Sequence, residues 1–158
     1  MSQLDPLRTF ANLTFGKKVD KTAEEVTSAT PTATVQSLFT IAGGRVLVTA
    51  IIGEITVAAS GAVTLQLNSN PTTGTSAVLD TALTATSLEA RTIMSNVGAV
   101  GSALSGVSAG VAIGPTIPII VPIGAIELLA VGSSTTITTK WSLFYVPIDE
   151  GAYVTAVN

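Results

Sequence analysis

Residues 135–146 read TTITTKWSLFYV. In an extended chain successive side chains point to opposite faces, so Trp141, Leu143 and Tyr145 share one face and Ser142 and Phe144 the other. Residues 63–68, VTLQLN, alternate strictly: Val63, Leu65 and Leu67 on one side, Thr64, Gln66 and Asn68 on the other. A two-residue hydrophobic period in segments rich in Val, Ile and Thr belongs to half-buried β-strands.

Working outward, the same vocabulary runs from Thr32 to the last residues. Val35 to Ile41 is expected as a strand ended by Ala42-Gly43-Gly44, and Arg45 to Val57 as a longer one in which Gly53 marks a bulge or a close approach. The short link Ala59-Ser60-Gly61-Ala62 suggests that this strand and the Val63–Asn68 strand form an antiparallel hairpin. Residues 69–75, SNPTTGT, carry every turn signal. Val78 to Ala82 and Leu88 to Met94 are expected as weaker strands, and the small-residue stretch from Asn96 to Gly110 as a long loop or a loose strand pair. Residues 117–121, IPIIV, lead into a Pro122-Ile123-Gly124 turn, then Ala125–Ala130, the Gly132-Ser133-Ser134 turn and the Trp141 strand, and the chain closes on Ala152-Tyr153-Val154. Seven or eight strands at this spacing, with no room for helical crossovers, predict an all-β antiparallel sandwich or barrel.

Charge divides the chain. Eight of its seventeen charged residues lie in the first twenty-five, and none falls between Arg91 and Glu127. Residues 1–30 are therefore expected as an N-terminal arm and residues 31–158 as the β-sandwich domain. Phe10, Leu13 and Phe15 are costly to leave in water, so they are candidates for contact with a partner surface. Only 11% of the residues are charged against 47% hydrophobic, and mean hydropathy is +0.60. Free monomers carry about a quarter charged residues. Copies of itself or a large partner are expected to cover this surface.

Composition also bounds the chemistry. Without histidine there is no imidazole base, triad or usual metal ligand, and without cysteine no disulfide or thiolate site. A net charge of −3 and 4% aromatics argue against nucleic-acid binding. The uncharged stretch from Thr92 to Ile126 is long enough to cross a bilayer, but its six glycines and three prolines suit buried β-structure better, so no membrane partner is expected. Residues 1–21 place charges where the apolar core of a signal peptide would run. The adjacent Asp149 and Glu150 read as a solvated turn, and Asp80, Glu89 and Glu127 converge on a cation only if the fold brings them together. No nucleophile elbow or phosphate loop is present, so neither an enzyme nor a cofactor is expected. Arg45 and Arg91 flank apolar segments. Each makes either an exposed local pair, Arg91 with Glu89, or a salt bridge across a subunit contact.

The order of segments carries a resemblance. The charged start precedes residues 39–56, FTIAGGRVLVTAIIGEIT, then 65–83, LQLNSNPTTGTSAVLDTAL, and 119–154, IIVPIGAIELLAVGSSTTITTKWSLFYVPIDEGAYV. This is similar to the capsid decoration or cement proteins of tailed bacteriophages, with residues 70–75 and 140–154 carrying most of the likeness. The resemblance implies a jelly-roll-like antiparallel β-sandwich with an extended N-terminal arm. It further implies a homo-oligomer, most often a trimer, on the outer surface of the virion head, bridging subunits of the major capsid protein. On that reading Phe10, Leu13 and Phe15 contact the capsid, and Arg45 and Arg91 lie between subunits. The alternative is a receptor- or glycan-binding module of a phage tail fibre or adhesin, using Trp141, Tyr145 and Tyr153 as its aromatic platform.

Overall fold

A computed structural model of the chain describes residues 15–30, 32–96, 104–107 and 118–158. Among the described residues its regular structure is β, apart from Phe15, which is helical. The strands are β1 (Lys17–Thr27), β2 (Thr34–Ala42), β3 (Val46–Val57), β4 (Val63–Pro71), β5 (Ala77–Val78), β6 (Leu83–Thr84), β7 (Ile93–Asn96) and β8 (Leu104–Val107). They are followed by β9 (Ile119–Val121), β10 (Gly124–Gly132), β11 (Thr136–Pro147) and β12 (Tyr153–Ala156). One sheet runs β1-β11-β3-β7-β8, with β9 also on β3; the other runs β12-β2-β10-β4-β5, with β6 also on β4. All these pairings are antiparallel.

The register shows a single ribbon rolled up. Thr64 and Asn68 of β4 pair with Thr84 and Val78 across the ribbon's tip. Outward from there, β3 pairs with β7 and β9, β2 with β10, and β1 with β11. Each step along the ribbon changes sheet, so the two sheets face each other as a jelly roll. This corrects the expected hairpin between β3 and β4, which lie in opposite sheets. Side-by-side hairpins favour two-residue turns of one hand, and residues 58–62 instead carry the chain across the sandwich. The Pro122-Ile123 turn and the Gly132–Thr135 turn cross in the same way.

The core follows the predicted alternation. Val63, Leu65 and Leu67 of β4 and Ile137, Trp141, Leu143 and Tyr145 of β11 are buried, while Thr64, Gln66, Ser142 and Phe144 are not. In β2 two neighbours are both buried, and there the ladder bulges. Leu38 is the extra residue between the Ile126–Phe39 and Glu127–Ser37 pairs, which lets Leu38 and Phe39 both reach the interior. Gly53 is a close approach, as expected: a Cβ there would lie 2.7 Å from the Trp141 ring.

Three other expectations are corrected. Of the segment expected as a strand over 78–82, only Val78 lies in a strand, the two-residue β5. That expected over 88–94 begins only at Ile93, because Glu89, Ala90 and Arg91 form a turn in which the Thr92 amide donates to the Glu89 carbonyl, 3.2 Å. The arm expected over 1–30 is shorter, since Lys17–Thr27 is a full edge strand of the sandwich. Its dense charge disguised it: an edge strand faces water on one side and tolerates Lys and Glu that a central strand would not.

Candidate interaction surface

The outer face of the β1-β11-β3 sheet divides into two zones. At the end where the chain enters, Val146 of β11 stands opposite Leu47 of β3, and Leu47 opposite Ile120 of β9. Directly opposed residues share a face, so these three make one apolar row across three strands. Val146 is 40% exposed and Ile120 64%. Phe15, 53% exposed, extends the row at its side by meeting Phe144 edge to face with ring centroids 6.1 Å apart. Ile123 and Ile148 are also exposed.

Local structure fixes Phe15 there. Its carbonyl accepts a hydrogen bond from Thr49 Oγ1, 2.6 Å. Gly16 then turns at φ +81°, and any Cβ on it would run into the Tyr145 carbonyl. Only glycine makes this entry into β1 without strain.

Further along the same face the side chains are charged. Lys140 Nζ lies 2.7 Å from Glu54 Oε2, with Arg91 3.8 Å from the other oxygen. Lys18 sits 2.8 Å from Asp20 and over the Phe144 ring. The Lys18 ammonium, followed by the Ser142 hydroxyl, holds the Asp20 carboxyl below its ordinary range. The surface is thus an apolar strip bordered by paired charges.

Of the residues singled out from sequence, Phe15 belongs to this strip, and Phe10 and Leu13 lie outside the described residues. Arg45 and Arg91 flank opposite ends of β3. Arg45 is engaged within the chain: Nε and Nη2 grip the two Asp149 oxygens at 2.9 and 2.7 Å, and its backbone amide donates to Oδ2 at 2.7 Å. These bonds, the guanidinium's first, hold the Asp149 carboxyl at about 2. That fork is spent on the loop after β11, within a single chain. Arg91 turns out to pair with Glu54 rather than Glu89, because its backbone sits in a turn at φ 76° instead of a strand.

The three carboxylates considered for a cation do not meet. Asp80 is fully buried, Glu89 is exposed in the turn before β7, and Glu127 accepts from Asn70 Nδ2 at 3.0 Å. The aromatic platform of the glycan reading is dispersed as well. Trp141 and Tyr145 are core residues at 1% and 4% exposure, which leaves Tyr153 at the surface.

Leu47, Val146 and Ile120 were not picked out from sequence. Each lies in a continuous apolar run, where burial on both faces and burial on one face look alike. The signal that was available was Phe144, placed by alternation on the face opposite Trp141. Searches against family models, curated proteins and solved structures find no match to this chain.

Proposed function

We propose that this chain is a structural protein of a tailed-phage virion that decorates the outer surface of the capsid and cements neighbouring major capsid protein subunits. The observation that carries the reading is the apolar strip of Phe15, Phe144, Val146, Leu47 and Ile120 on an exposed sheet face. A rigid jelly roll presents this strip without having to order a loop, so less of the contact energy goes into immobilising the binder. The sparse charge of the body agrees with a protein whose faces are covered in an assembly, as a homo-oligomer, most simply a trimer. Where the strip bridges two shell subunits, each bound copy adds contact energy at a junction between them.

The test uses heads of the phage whose genome carries this sequence, assembled without the protein. Saturable co-sedimentation at a fixed ratio to the major capsid protein, with a raised temperature of genome release, is the expected result. Folded protein that stays in the supernatant at micromolar concentration overturns the proposal.

A further inference from the structure

The sandwich has an open seam on the side away from β7 and β8. Strand β2 is paired with β10 along its length, but β12 covers its other edge only from Phe39 to Ala42, with one further bond from the Val157 amide to the Leu38 carbonyl, 3.0 Å. Thr34–Ser37 therefore have no strand on that edge among the described residues. Facing them across the seam are Glu24–Thr27 of β1, from the other sheet, and the space between is a groove of about 420 Å³. Val35, 53% exposed, and Gln36, whose buried Oε1 has no hydrogen-bond partner among the described residues, line it. Lys21 braces the end of the groove, donating to the Val157 carbonyl and to Glu24. An unpaired strand edge with an apolar wall is a template for an added strand.

We propose that this groove receives residues 7–10, Leu-Arg-Thr-Phe, from the N-terminal segment of a neighbouring copy, as an added strand on the free edge of β2. Three features of the chain support this occupant. The fourteen residues ahead of Phe15 include Leu4, Leu7, Phe10 and Leu13, apolar side chains in need of a surface. The four residues 7–10 match the four unpaired positions 34–37. The groove wall carries the Glu25 carboxylate beside the Glu24 that Lys21 holds, and Arg8 is the one cationic side chain in that fourteen-residue segment.

The donor has to be another copy. The five residues from Phe10 to Phe15, whose carbonyl is held by Thr49, reach at most about 18 Å. Glu24, where the groove begins, is already about 23 Å up β1 from Lys17. This inference shares with the proposed function only the idea that copies associate; it does not depend on what the apolar strip binds.

The absence of native cysteine makes the test clean. Full-length Phe10→Cys and Val35→Cys variants, one carrying a size tag, are mixed and mildly oxidised. A tagged–untagged disulfide heterodimer that neither variant forms alone is the expected product. Arg8→Glu in the donor should cut its yield several-fold, and Glu25→Lys in the acceptor should restore it. No heterodimer, or one indifferent to both charge changes, overturns the proposal. Because the readout is made without shells, a cross-link with no shell binding refutes the cement reading alone, and shell binding with no cross-link refutes this one alone.

Discussion

Gly53 of β3 stands directly opposite Trp141 of β11, and the indole fills the space a side chain at 53 would take. An added Cβ would lie 2.7 Å from the ring and 2.9 Å from the Met94 methyl. Trp141 is thereby seated between the sheets, with its Nε1 donating to Thr139 Oγ1 at 3.0 Å. Gly53→Ala should therefore cost about 1–3 kcal/mol through overpacking, although alanine is the better strand residue in isolation. A urea midpoint that is unchanged, or raised, would show that the ring and Met94 give way.

Asp80 makes stability depend on pH near neutrality. Its side chain is fully buried, with Oδ1 accepting from the Leu67 amide at 2.9 Å and Oδ2 without a partner among the described residues. Burial pushes the carboxyl from 3.8 up to about 7. The folded value lies above the unfolded one, so the unfolded chain binds fewer protons between them and stability falls as pH rises from about 4 to about 7. The loss is at most on the order of 4 kcal/mol. Asp80→Asn should be more stable than the parent at pH 8 and equal to it near pH 4, as read by thermal melts across that range.

Asp149 works in the opposite sense and in a different window. Its carboxyl is held at about 2 by Arg45, so this contribution is present above about 4 and disappears as pH falls through 2. Asp149→Asn should lower the melting temperature at pH 7 and leave it unchanged near pH 2. Equal deficits at both values would mean that the amide also disrupts the loop packing around Gly44.

Lys21 ties the two sheets together at the seam. Its ammonium is buried and bonded to the Val157 carbonyl and Glu24. Lys21→Met should cost about 1–3 kcal/mol, the penalty for leaving polar partners unmet. Amide hydrogen exchange should quicken first in residues 153–157, ahead of the core strands. Uniform acceleration across both sheets would locate the role of Lys21 in global stability instead.

Surface variants separate docking from folding. Ile120→Glu and Val146→Glu lie on the exposed strip, so melting should shift little. Binding to the phage shells described above should fall by tenfold or more for each. Unaltered binding by both would remove the strip from the shell contact.

Alternation made much of the fold legible. Val63-Thr64-Leu65-Gln66-Leu67 and Trp141 to Tyr145 announced strands and named their buried faces, because a period of two depends only on local backbone geometry. Lys17–Thr27 was hidden, since charge pointed to a solvated arm and nothing local says that an edge strand will find β11. Glu89-Ala90-Arg91 misled in the reverse direction: apolar neighbours at 88 and 93 suggested a strand where the backbone turns. Of the interaction surface, Phe15 was legible as an apolar residue with no local partner. The row from Ile120 through Leu47 to Val146 was not, because it joins positions 120, 47 and 146, which only strand pairing brings side by side.

The amino-acid sequence by itself determined that the chain would be β-structured and which residues of its clearest strands face inward. Each of these follows from side-chain type at short range. Tertiary structure alone decided that successive strands alternate between sheets, that Arg45 closes on Asp149, and that an apolar strip and an open seam are left on the outside. Those depend on contacts between residues far apart in the chain, whose energies are set by which edges and faces meet.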